Sequence, residues 1–521
     1  MELVQQNIHM DRISKEGSVQ ITLEDDVNLP EMKPDISSLC MEKGNVVVEE
    51  VRPGTDAVMV RGRLVFDILY HTQEDGGRLD CLDGKLLFEE KIRLDGLTAG
   101  DNVTVCGKID DISVAVINSR KLSVQSVVTL SATVEEIYDE TLPVGVSGEE
   151  GEDPQYRLVP MEFTQVCLCR KDVMRVKEEL GLPQNYPNIG QILWKNVEFG
   201  EMNFRLGEEK ITATGELRVF VLYEGEGENS SPQIYEEPVP ISAEIACYGC
   251  REGEALDVRY GMGQWELTIK ADEDGEQRLF ALEATVELKL CVYEDKRMDV
   301  LTDIYGIKRE ISGSRKSVQL EKLLRSVTGK TKVTEHVKLG AGDQILQLVH
   351  SDGQVSLSSV SPAQEGIVLR GMLGIKVLYV TGDDEKPYGC LKTGIPFEYT
   401  MEIPGMTENA QTGPIQTELE QLSVTMLDGE ELDVKGVICF STTAMERVEA
   451  QVLGEISQMP LDAEKLASLP GMAVYVVKQG DDLWTIGKKY YVPVESIMDL
   501  NDLDQQELKP GQKLLVVKGG V

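Results

Sequence analysis

The sequence predicts a mainly β protein, in which three tandem β-sandwich-like repeats are followed by a small βααβ module. Three observations support this fold class. A strand-like motif occurs three times at nearly constant spacing, apolar and polar residues alternate downstream of each copy, and helical spacing dominates only after residue 473. A chain of 521 residues is also too long for a single core, so several domains are expected.

The recurring motif is a glycine followed by a strand-like run that ends in Leu-Tyr. Its copies occupy residues 62–70, 215–223 and 371–379, and their glycines lie 153 and 156 residues apart. Chance matches of strand composition would not be spaced so regularly. The motif therefore indicates a triplicated domain.

Two flanking segments recur at similar distances from the motif. Upstream, Leu29–Ile36 and Leu182–Ile189 each contain two prolines, whereas the third copy reads Leu339–Asp343 and has lost them. Downstream, apolar residues alternate with polar or small ones in 122–130, 280–288 and 432–440. Such alternation is typical of a strand with one buried face, and several short strands separated by turns favour a β-sandwich or a partly open barrel.

These matches place the repeats at 15–140, 160–297 and 318–452, and the final module at 473–518. Polar and charged segments at 143–155 and 296–316 are expected to connect the domains. Helical spacing is weak inside the repeats. One short helix is predicted over Val173–Leu180, because Gly181 supplies a stop signal.

The charge and the apolar pattern exclude several classes of partner. A formal charge of −38 repels nucleic-acid phosphates and anionic lipid headgroups, so neither is expected as a primary partner. No stretch approaches the ~20 apolar residues of a transmembrane helix, and the first residues lack the pattern of a secretory signal. A cytoplasmic location is therefore expected, where the ten cysteines would remain free thiols.

Residues 474–517 resemble the LysM family over the whole module. The resemblance rests on Tyr475, on the run Gly480–Trp484, on Leu500-Asn501, and on Pro510-Gly511 before a closing strand. The local chemistry also predicts a βααβ unit. Asp482 is a suitable N-cap, one helical stripe follows it, and Asn501 is a suitable left-handed terminator.

The LysM resemblance implies a shallow groove that binds N-acetylglucosamine polymers. Carried over by position, the groove is formed by two loops, with Gly480, Asp481, Asp482 and Leu483 on one side and Ile497, Asn501, Asp502 and Leu503 on the other. Asp482 departs from the threonine common at its place. Core packing is the alternative role for Leu483 and Ile497. Trp484 lies one position off the apolar stripe, which leaves it either as an interface anchor or as a packing residue.

The triplicated motif resembles the SPOCS domain of endospore-forming Firmicutes. SPOCS repeats with one terminal LysM are similar to the SipL family of clostridial spore-coat morphogenetic proteins. This resemblance implies a non-enzymatic adaptor in the mother-cell cytoplasm at the forespore surface. The expected partner is the coat ATPase, stage IV sporulation protein A, and the LysM module is expected to act mainly as a protein-binding module.

No catalytic residue, cofactor or metal ligand is expected from the motifs. Cys247 and Cys250 have the spacing of a redox pair or half of a zinc site, but no histidine lies near them in the sequence. A phosphate-binding loop and a serine nucleophile motif are missing. The alternatives to an adaptor are an envelope protein that binds peptidoglycan through N-acetylglucosamine and, less favoured, a wall hydrolase.

Overall fold

The structure is a computed structural model that describes residues 1–73, 77–148, 154–227, 231–340, 344–383, 385–407, 409–461, 469–505 and 507–518. Strands account for 77% of the chain and helices for only 3%. This distribution confirms the predicted mainly β fold.

Each repeat contributes its strands in chain order. The first contains β1 (Glu2–Asn28), β2 (Ile36–Pro53), β3 (Ala57–Thr72), β4 (Leu79–Arg93), β5 (Val103–Asn118) and β6 (Lys121–Ser147). The second contains β7 (Gln155–Gly181), β8 (Ile189–Gly207), β9 (Lys210–Gly225), β10 (Pro232–Ala246), β11 (Ala255–Ala271) and β12 (Gln277–Tyr305). The third contains β13 (Arg309–Lys338), β14 (Ile345–Ala363), β15 (Gly366–Thr381), β16 (Tyr388–Glu402), β17 (Ala410–Thr412), β18 (Gln416–Asp428) and β19 (Glu431–Pro460).

Each repeat contains two antiparallel sheets. We call the sheet with the two longest strands of the repeat the long sheet, and the other the short sheet. In the first repeat the long sheet has the order β1-β6-β5 and the short sheet the order β2-β3-β4. The second repeat has the same arrangement, β7-β12-β11 and β8-β9-β10. In the third, β13, β17 and β18 all pair with β19, and β14-β15-β16 form the short sheet. The repeat ranges predicted above lie inside these strand spans.

The core of each repeat lies between its two sheets. In the first repeat, Leu64 and Phe66 of the short sheet belong to one buried cluster with Leu122 and Val124 of the long sheet. The alternation predicted downstream of each motif is confirmed, because the alternate apolar residues of β6, β12 and β19 are at most 3% exposed. A sandwich with its core between the sheets is therefore confirmed for the repeats.

The glycine that begins each motif copy lies where another strand passes very close. A Cβ atom on Gly62 would lie within 3.0 Å of both the carbonyl oxygen of Val47 and the ring of Phe88. Gly371 meets a carbonyl oxygen and the ring of Phe397 in the same way. Close packing between strands therefore explains why glycine recurs at these positions.

An arginine holds the double-proline segment in each of the two copies that have it. Arg120 donates to the carbonyl oxygens of Lys33 (2.6 Å) and Pro30 (2.7 Å). Arg278 occupies the equivalent position in the second repeat and donates to the carbonyl oxygen of Pro183 at 2.8 Å. The third copy has lost the prolines and has Glu430 in place of the arginine.

Equivalent residues of the three repeats meet in two buried clusters. One cluster contains the same two short-sheet positions from every repeat, namely Cys40, Leu193 and Val349 together with Leu69, Leu222 and Leu378. The other contains equivalent long-sheet positions, namely Met10, Phe163 and Leu320 together with Leu142, Val300 and Val452. Three copies can share such clusters only if they surround a common line.

Contacts between the repeats close the arrangement. Gln191 of the second repeat donates to Asp80 of the first at 3.4 Å. Phe220 of the second stacks on His350 of the third, with ring centroids 3.8 Å apart. Lys376 of the third donates to the carbonyl oxygen of Glu42 in the first at 2.7 Å. The chain thus forms a ring of three repeats around a pseudo-threefold axis.

Three polar residues at equivalent positions meet near this axis. Lys43, Asn196 and Asp352, which we call the axis triad, have the same spacing as the motif glycines. The Lys43 Nζ lies 3.1 Å from Asp352 Oδ2 and also donates to Asn196 Oδ1. Burial raises the pKa of Asp352, but the charge of Lys43 and hydrogen bonds outweigh it and lower that pKa to about 2.

One expectation about local structure is wrong, and another is only partly right. Val173–Leu180, predicted as a helix, lies within β7 and pairs with β12. The segment 296–316, predicted as a connection, contains the link between the second and third repeats at residues 306–308, but it is mostly strand, because β12 continues to Tyr305 and β13 begins at Arg309. In the other predicted connection, residues 149–153 lie outside the described residues, while β6 continues to Ser147.

The expectation of free thiols holds for only part of the set. Cys169 is disulfide-bonded to Cys291, which lies directly opposite it in the β7–β12 pair, and Cys247 is bonded to Cys250. The free cysteines are Cys40, Cys81, Cys106, Cys167, Cys390 and Cys439. Separately, no helix in the described part of the chain is long and apolar enough to cross a membrane.

Adding a methyl group at a motif glycine should destabilise the ring. We expect Gly62→Ala to lower the free energy of unfolding by about 1–3 kcal/mol, because the added Cβ overlaps the Val47 carbonyl and the Phe88 ring. Urea denaturation followed by circular dichroism measures the change. Gly261→Ala is the matched control, since its Cβ would meet no atom within 4 Å. Equal stability of the two variants would contradict this account of the motif.

A carboxyl group beside the axis triad should make stability depend on pH. Burial and the neighbouring Asp352 raise the pKa of Glu198 from its ordinary 4.5 to about 7. The folded state then holds a proton that the unfolded state has lost, so stability falls as the pH rises from about 4.5 to 7. We expect Glu198→Gln to remove this decline and to gain on the order of 1–3 kcal/mol over wild type between pH 5 and 8. Denaturation across that range checks it, and parallel pH profiles for the two proteins would contradict it.

Candidate functional site

The C-terminal module has the predicted βααβ order. It contains β20 (Met472–Val476), α1 (Leu483–Tyr490), α2 (Val494–Leu500) and β21 (Lys513–Val517). Asp482 is the N-cap of α1 and accepts a hydrogen bond from the Thr485 amide at 2.8 Å, as predicted. The predicted left-handed residue is wrong, because Asn501 has φ −112° and the next residue, Asp502, has φ +49°.

The module has its own small core. Its buried members are Val477, Leu483, Ile486, Val492, Ile497, Leu514 and Val516. Two predicted groove residues belong to this set, since Leu483 is 2% exposed and Ile497 is fully buried. Their side chains hold the module together and leave the groove surface to their neighbours.

The first groove loop is fixed by hydrogen bonds. Gly480 adopts φ +90°, which favours glycine. Asp481 accepts hydrogen bonds from the Lys478 amide (2.8 Å) and from the Tyr475 hydroxyl (2.7 Å). These bonds lower the pKa of Asp481, so this loop carries a negative charge at neutral pH.

The second groove loop is fixed by one side-chain amide. Asn501 Nδ2 donates to the carbonyl oxygens of Ile497 and Leu515, each at 2.8 Å, and Asn501 Oδ1 accepts from the Leu515 amide at 2.7 Å. The amide of Leu503 donates to the carbonyl oxygen of Met498 at 3.0 Å. Asn501 therefore ties the end of α2 to β21, while Asp502 is exposed beside it.

Trp484 is directed at the second repeat. Its Nε1 donates to Asp303 Oδ2 at 2.8 Å, and its ring meets Tyr305 edge-to-face at a centroid distance of 4.8 Å. Lys488, one turn further along α1, lies 2.5 Å from Asp303 Oδ1. Burial raises the pKa of Asp303, but the bonds from Lys488 and Trp484 outweigh it and lower the pKa.

Further contacts extend this docking. The buried Tyr305 hydroxyl donates to the carbonyl oxygen of Val492 at 2.8 Å. A Cβ atom on Gly487 would lie 2.6 Å from that hydroxyl, so glycine is needed there for the close approach. Arg157 of β7 pairs with Asp482 at 2.9 Å. One end of the second repeat therefore holds both the first helix and its N-cap.

The other two repeats lack these docking residues. The positions equivalent to Asp303 are Gly145 and Glu455, and those equivalent to Tyr305 are Ser147 and Ser457. A serine side chain has no aromatic ring to contact Trp484 and is too short to reach the carbonyl oxygen of Val492, as Tyr305 does. Sequence divergence after the triplication thus selects a single docking position on the ring.

Sequence reasoning identified only the module's side of this interface. Of the nine predicted residues, Asp482 and Trp484 contact the second repeat, Leu483 and Ile497 are buried, and the remaining five form the two groove loops. Their role as a binding surface stays a prediction. Arg157, Asp303 and Tyr305 were missed, although repeat alignment shows that Asp303 and Tyr305 differ from their equivalents.

The described residues contain two groups of side chains with the chemistry of metal ligands. One consists of Asp11, Cys169 and Cys291, and the other of Cys167, Glu254 and Glu294. In the first group, Cys169 and Cys291 are disulfide-bonded to each other, so neither offers a thiolate to a metal. In the second, burial and the nearby carboxylates raise the pKa of Cys167 to about 11, so its thiol is protonated at neutral pH and is a poor ligand.

Loss of the Tyr305 side chain should release the LysM module from the ring. Removing a buried aromatic side chain costs about 3–5 kcal/mol, which is large for a contact between two small surfaces. We expect Tyr305→Ala to expose Trp484, seen as a red-shifted emission and stronger acrylamide quenching. Tyr156→Ala, at a half-exposed tyrosine on the same strand pair, is the control. Unchanged quenching in Tyr305→Ala would contradict the docking geometry.

Comparison with known proteins agrees with the architecture. A family model described as SipL, SPOCS domain matches residues 35–117, 188–270 and 344–427, and a LysM domain model matches 475–517. The SPOCS matches cover the short sheet of each repeat and, from the long sheets, β5, β11, and β17 with β18. The long paired strands β1 and β6, and their equivalents, lie outside the matches.

The curated relatives include the uncharacterized protein YkzQ of Bacillus subtilis (strain 168). It is 49% identical to this chain over 39 residues, which are 8% of this chain and 52% of YkzQ. The match thus spans about half the length of that relative. No solved structure matches the chain.

Neither the SipL-type SPOCS family nor the LysM family is enzymatic, and together they fit a sporulation adaptor or an envelope-binding role. The repeats and the module carry these two domain types in the predicted order. The chain thus contains three SPOCS domains of the SipL type followed by one LysM domain.

Proposed function

We propose that the chain is a non-enzymatic adaptor in spore-coat assembly. In this proposal it lies in the mother-cell cytoplasm at the forespore surface and binds the coat ATPase, stage IV sporulation protein A. The single observation that carries the proposal is the docking of the LysM module on a closed ring of SipL-type SPOCS domains. This docking joins four domains into one composite surface, which suits a protein that holds a partner in place.

An apolar face of the LysM module supports a protein partner. Met472, Val474 and Val476 lie on one face of β20 and are 62%, 64% and 50% exposed. Leu515 lies opposite Val474 in the strand pair and extends the same face. Exposed apolar patches of this kind are typical of protein interfaces, whereas the groove loops are polar.

The LysM fold itself favours a second candidate function, the binding of N-acetylglucosamine polymers by an envelope protein. Much of the groove remains available for it, since Gly480 and Asp502 are exposed. Among the groove residues, Asp482 is engaged by the docking, because it pairs with Arg157. The two candidate functions therefore use different parts of the module, namely the apolar face for a protein partner and the groove loops for a glycan. Variants can separate them.

Charge introduced on the apolar face, or at the docking contact that fixes the module on the ring, should weaken binding to the ATPase. We expect Val474→Glu and Trp484→Glu in the full chain to lower affinity at least tenfold, or about 1.4 kcal/mol. The first variant alters the free face, and the second releases the module from the ring. Biolayer interferometry with the purified ATPase measures both. Val360→Glu, at an exposed valine of the third repeat, should bind like wild type.

Other outcomes would reassign the interface. Full affinity in both LysM variants would move the ATPase contact to the SPOCS repeats. Weak binding by Trp484→Glu with full binding by Tyr305→Ala would make Trp484 a direct partner contact. Retention of N-acetylglucosamine oligomers by a wild-type chain that ignores the ATPase would support the envelope function instead.

A further inference from the structure

The three junctions around the axis are built from equivalent residues but differ in charge. Between the third and first repeats, Lys376 lies 3.5 Å from the carboxylate of Glu42. At the junction of the first and second repeats, the equivalent residues are Asp67 and Lys195. Burial raises the pKa of Asp67, and the positive charge of Lys195 counteracts part of that increase. Each of these two junctions thus contains opposite charges.

The junction between the second and third repeats has no such pair. Its equivalent residues are Phe220 and Ser351, and Phe220 stacks on His350 instead. A cleft of about 610 Å³ opens here, lined by residues of β8, β9, β10, β14, β15 and β18. The junction that lacks the ion pair is therefore also the junction that contains this cleft.

The walls of this cleft are acidic. Glu198, Glu216, Glu236 and Glu237 line it, with Arg218 as the lining cation. Arg218 Nη2 is already engaged, because it donates to the carbonyl oxygens of Glu420 (2.7 Å) and Phe199 (3.4 Å). Arg218 Nε is buried and has no hydrogen-bond partner in the part of the chain that the structure describes. The four carboxyl groups still outnumber this one cation.

One ring nitrogen of a cleft-lining residue has no hydrogen-bond partner within the described ranges. His350 Nε2 is shielded from solvent and has no hydrogen-bond partner among the described residues. Burial lowers the pKa of His350 to about 4, so the ring is neutral at physiological pH and can offer a lone pair. Glu198 lies close to the axis triad, accepts a hydrogen bond from Asn196, and has its pKa raised to about 7.

Part of the remaining lining is apolar and offers a surface for an alkyl chain. Leu348, Val349, Val377, Leu422 and Val424 form it together with Phe220. An alkyl stem would bury apolar surface against these side chains, while an ammonium group at its end would meet the carboxylates. An anionic ligand would be repelled by the acidic walls.

From these observations we propose that the cleft between the second and third repeats binds an alkylammonium group, either a lysine side chain of a partner protein or a free diamine. The bound cation brings positive charge from outside the chain to a junction whose own equivalent residues, Phe220 and Ser351, are uncharged, and its partners are the carboxyl groups of the cleft walls. This site is separate from the LysM module. Its failure would leave the proposed adaptor function intact.

Titration of the full chain with small amines tests this site. Methyl-labelled protein is followed by NMR at Val219, Leu348, Leu422 and Val424 during addition of 1,5-diaminopentane, N-acetyl-lysine amide or N-acetyl-norleucine amide. We expect saturable shifts with the two amines and at least fivefold weaker binding of the norleucine amide, which lacks the ammonium group. Tighter binding of the lysine amide identifies a side chain as the occupant, and tighter binding of the diamine a free ligand.

Two variants make the result specific for the acidic walls. Glu216→Gln and the rim variant Glu236→Gln should each weaken amine binding about fivefold, whereas Glu273→Gln, at an exposed turn outside the cleft, should not. Unchanged methyl signals away from the cleft show that each variant is folded. Absence of saturable shifts, equal affinity for the norleucine amide, or full affinity in both cleft variants would overturn the proposal.

Discussion

Closure of the ring depends on bringing three equivalent positions together at one buried axis. In a trimer of identical chains, whatever residue stood at the position of Lys43 would meet two copies of itself. Three lysines or three aspartates there would repel one another in a region with little solvent. A covalently joined triplicate avoids this, since Lys43, Asn196 and Asp352 form a donor, an amide and an acceptor. The axis triad thus gives a physical reason for keeping three diverged copies in one chain.

The same freedom to diverge explains why the ring is not functionally symmetric. Equivalent residues form an ion pair at one junction and a looser charge pair at the next. At the third junction they are Phe220 and Ser351, and Phe220 stacks on His350 beside an open cleft. At the outer ends of the long sheets, only the second repeat has the aspartate and tyrosine that receive the LysM module. The buried clusters keep the three copies alike, while their junctions and ends acquire separate roles.

The features that sequence predicted are those determined by neighbouring residues or by repetition. Alternation in 122–130 predicted a half-buried strand correctly, and Asp482 was recognisable as an N-cap because capping needs only the next three residues. Val173–Leu180 was predicted wrongly, since its apolar residues also fit helical spacing and its true partner, β12, lies about 100 residues away. The segment 296–316 is charged because the long strand pairs expose much of their surface, so its composition imitated a linker. Contacts such as Trp484 to Asp303 leave no local pattern.

Trp484 shows that an apolar residue outside a module's own core can indicate a contact with another domain. It lies off the stripe that builds the LysM core, so the module alone gives no reason for a tryptophan there. Its partner is the second repeat, and that contact accounts for Trp484 without any external ligand. The same reasoning applied to the docked structure leaves Met472, Val474 and Val476 exposed on a face that neither the module's core nor the ring covers. Apolar surface that remains after all internal contacts are counted is the best guide to where an outside protein binds.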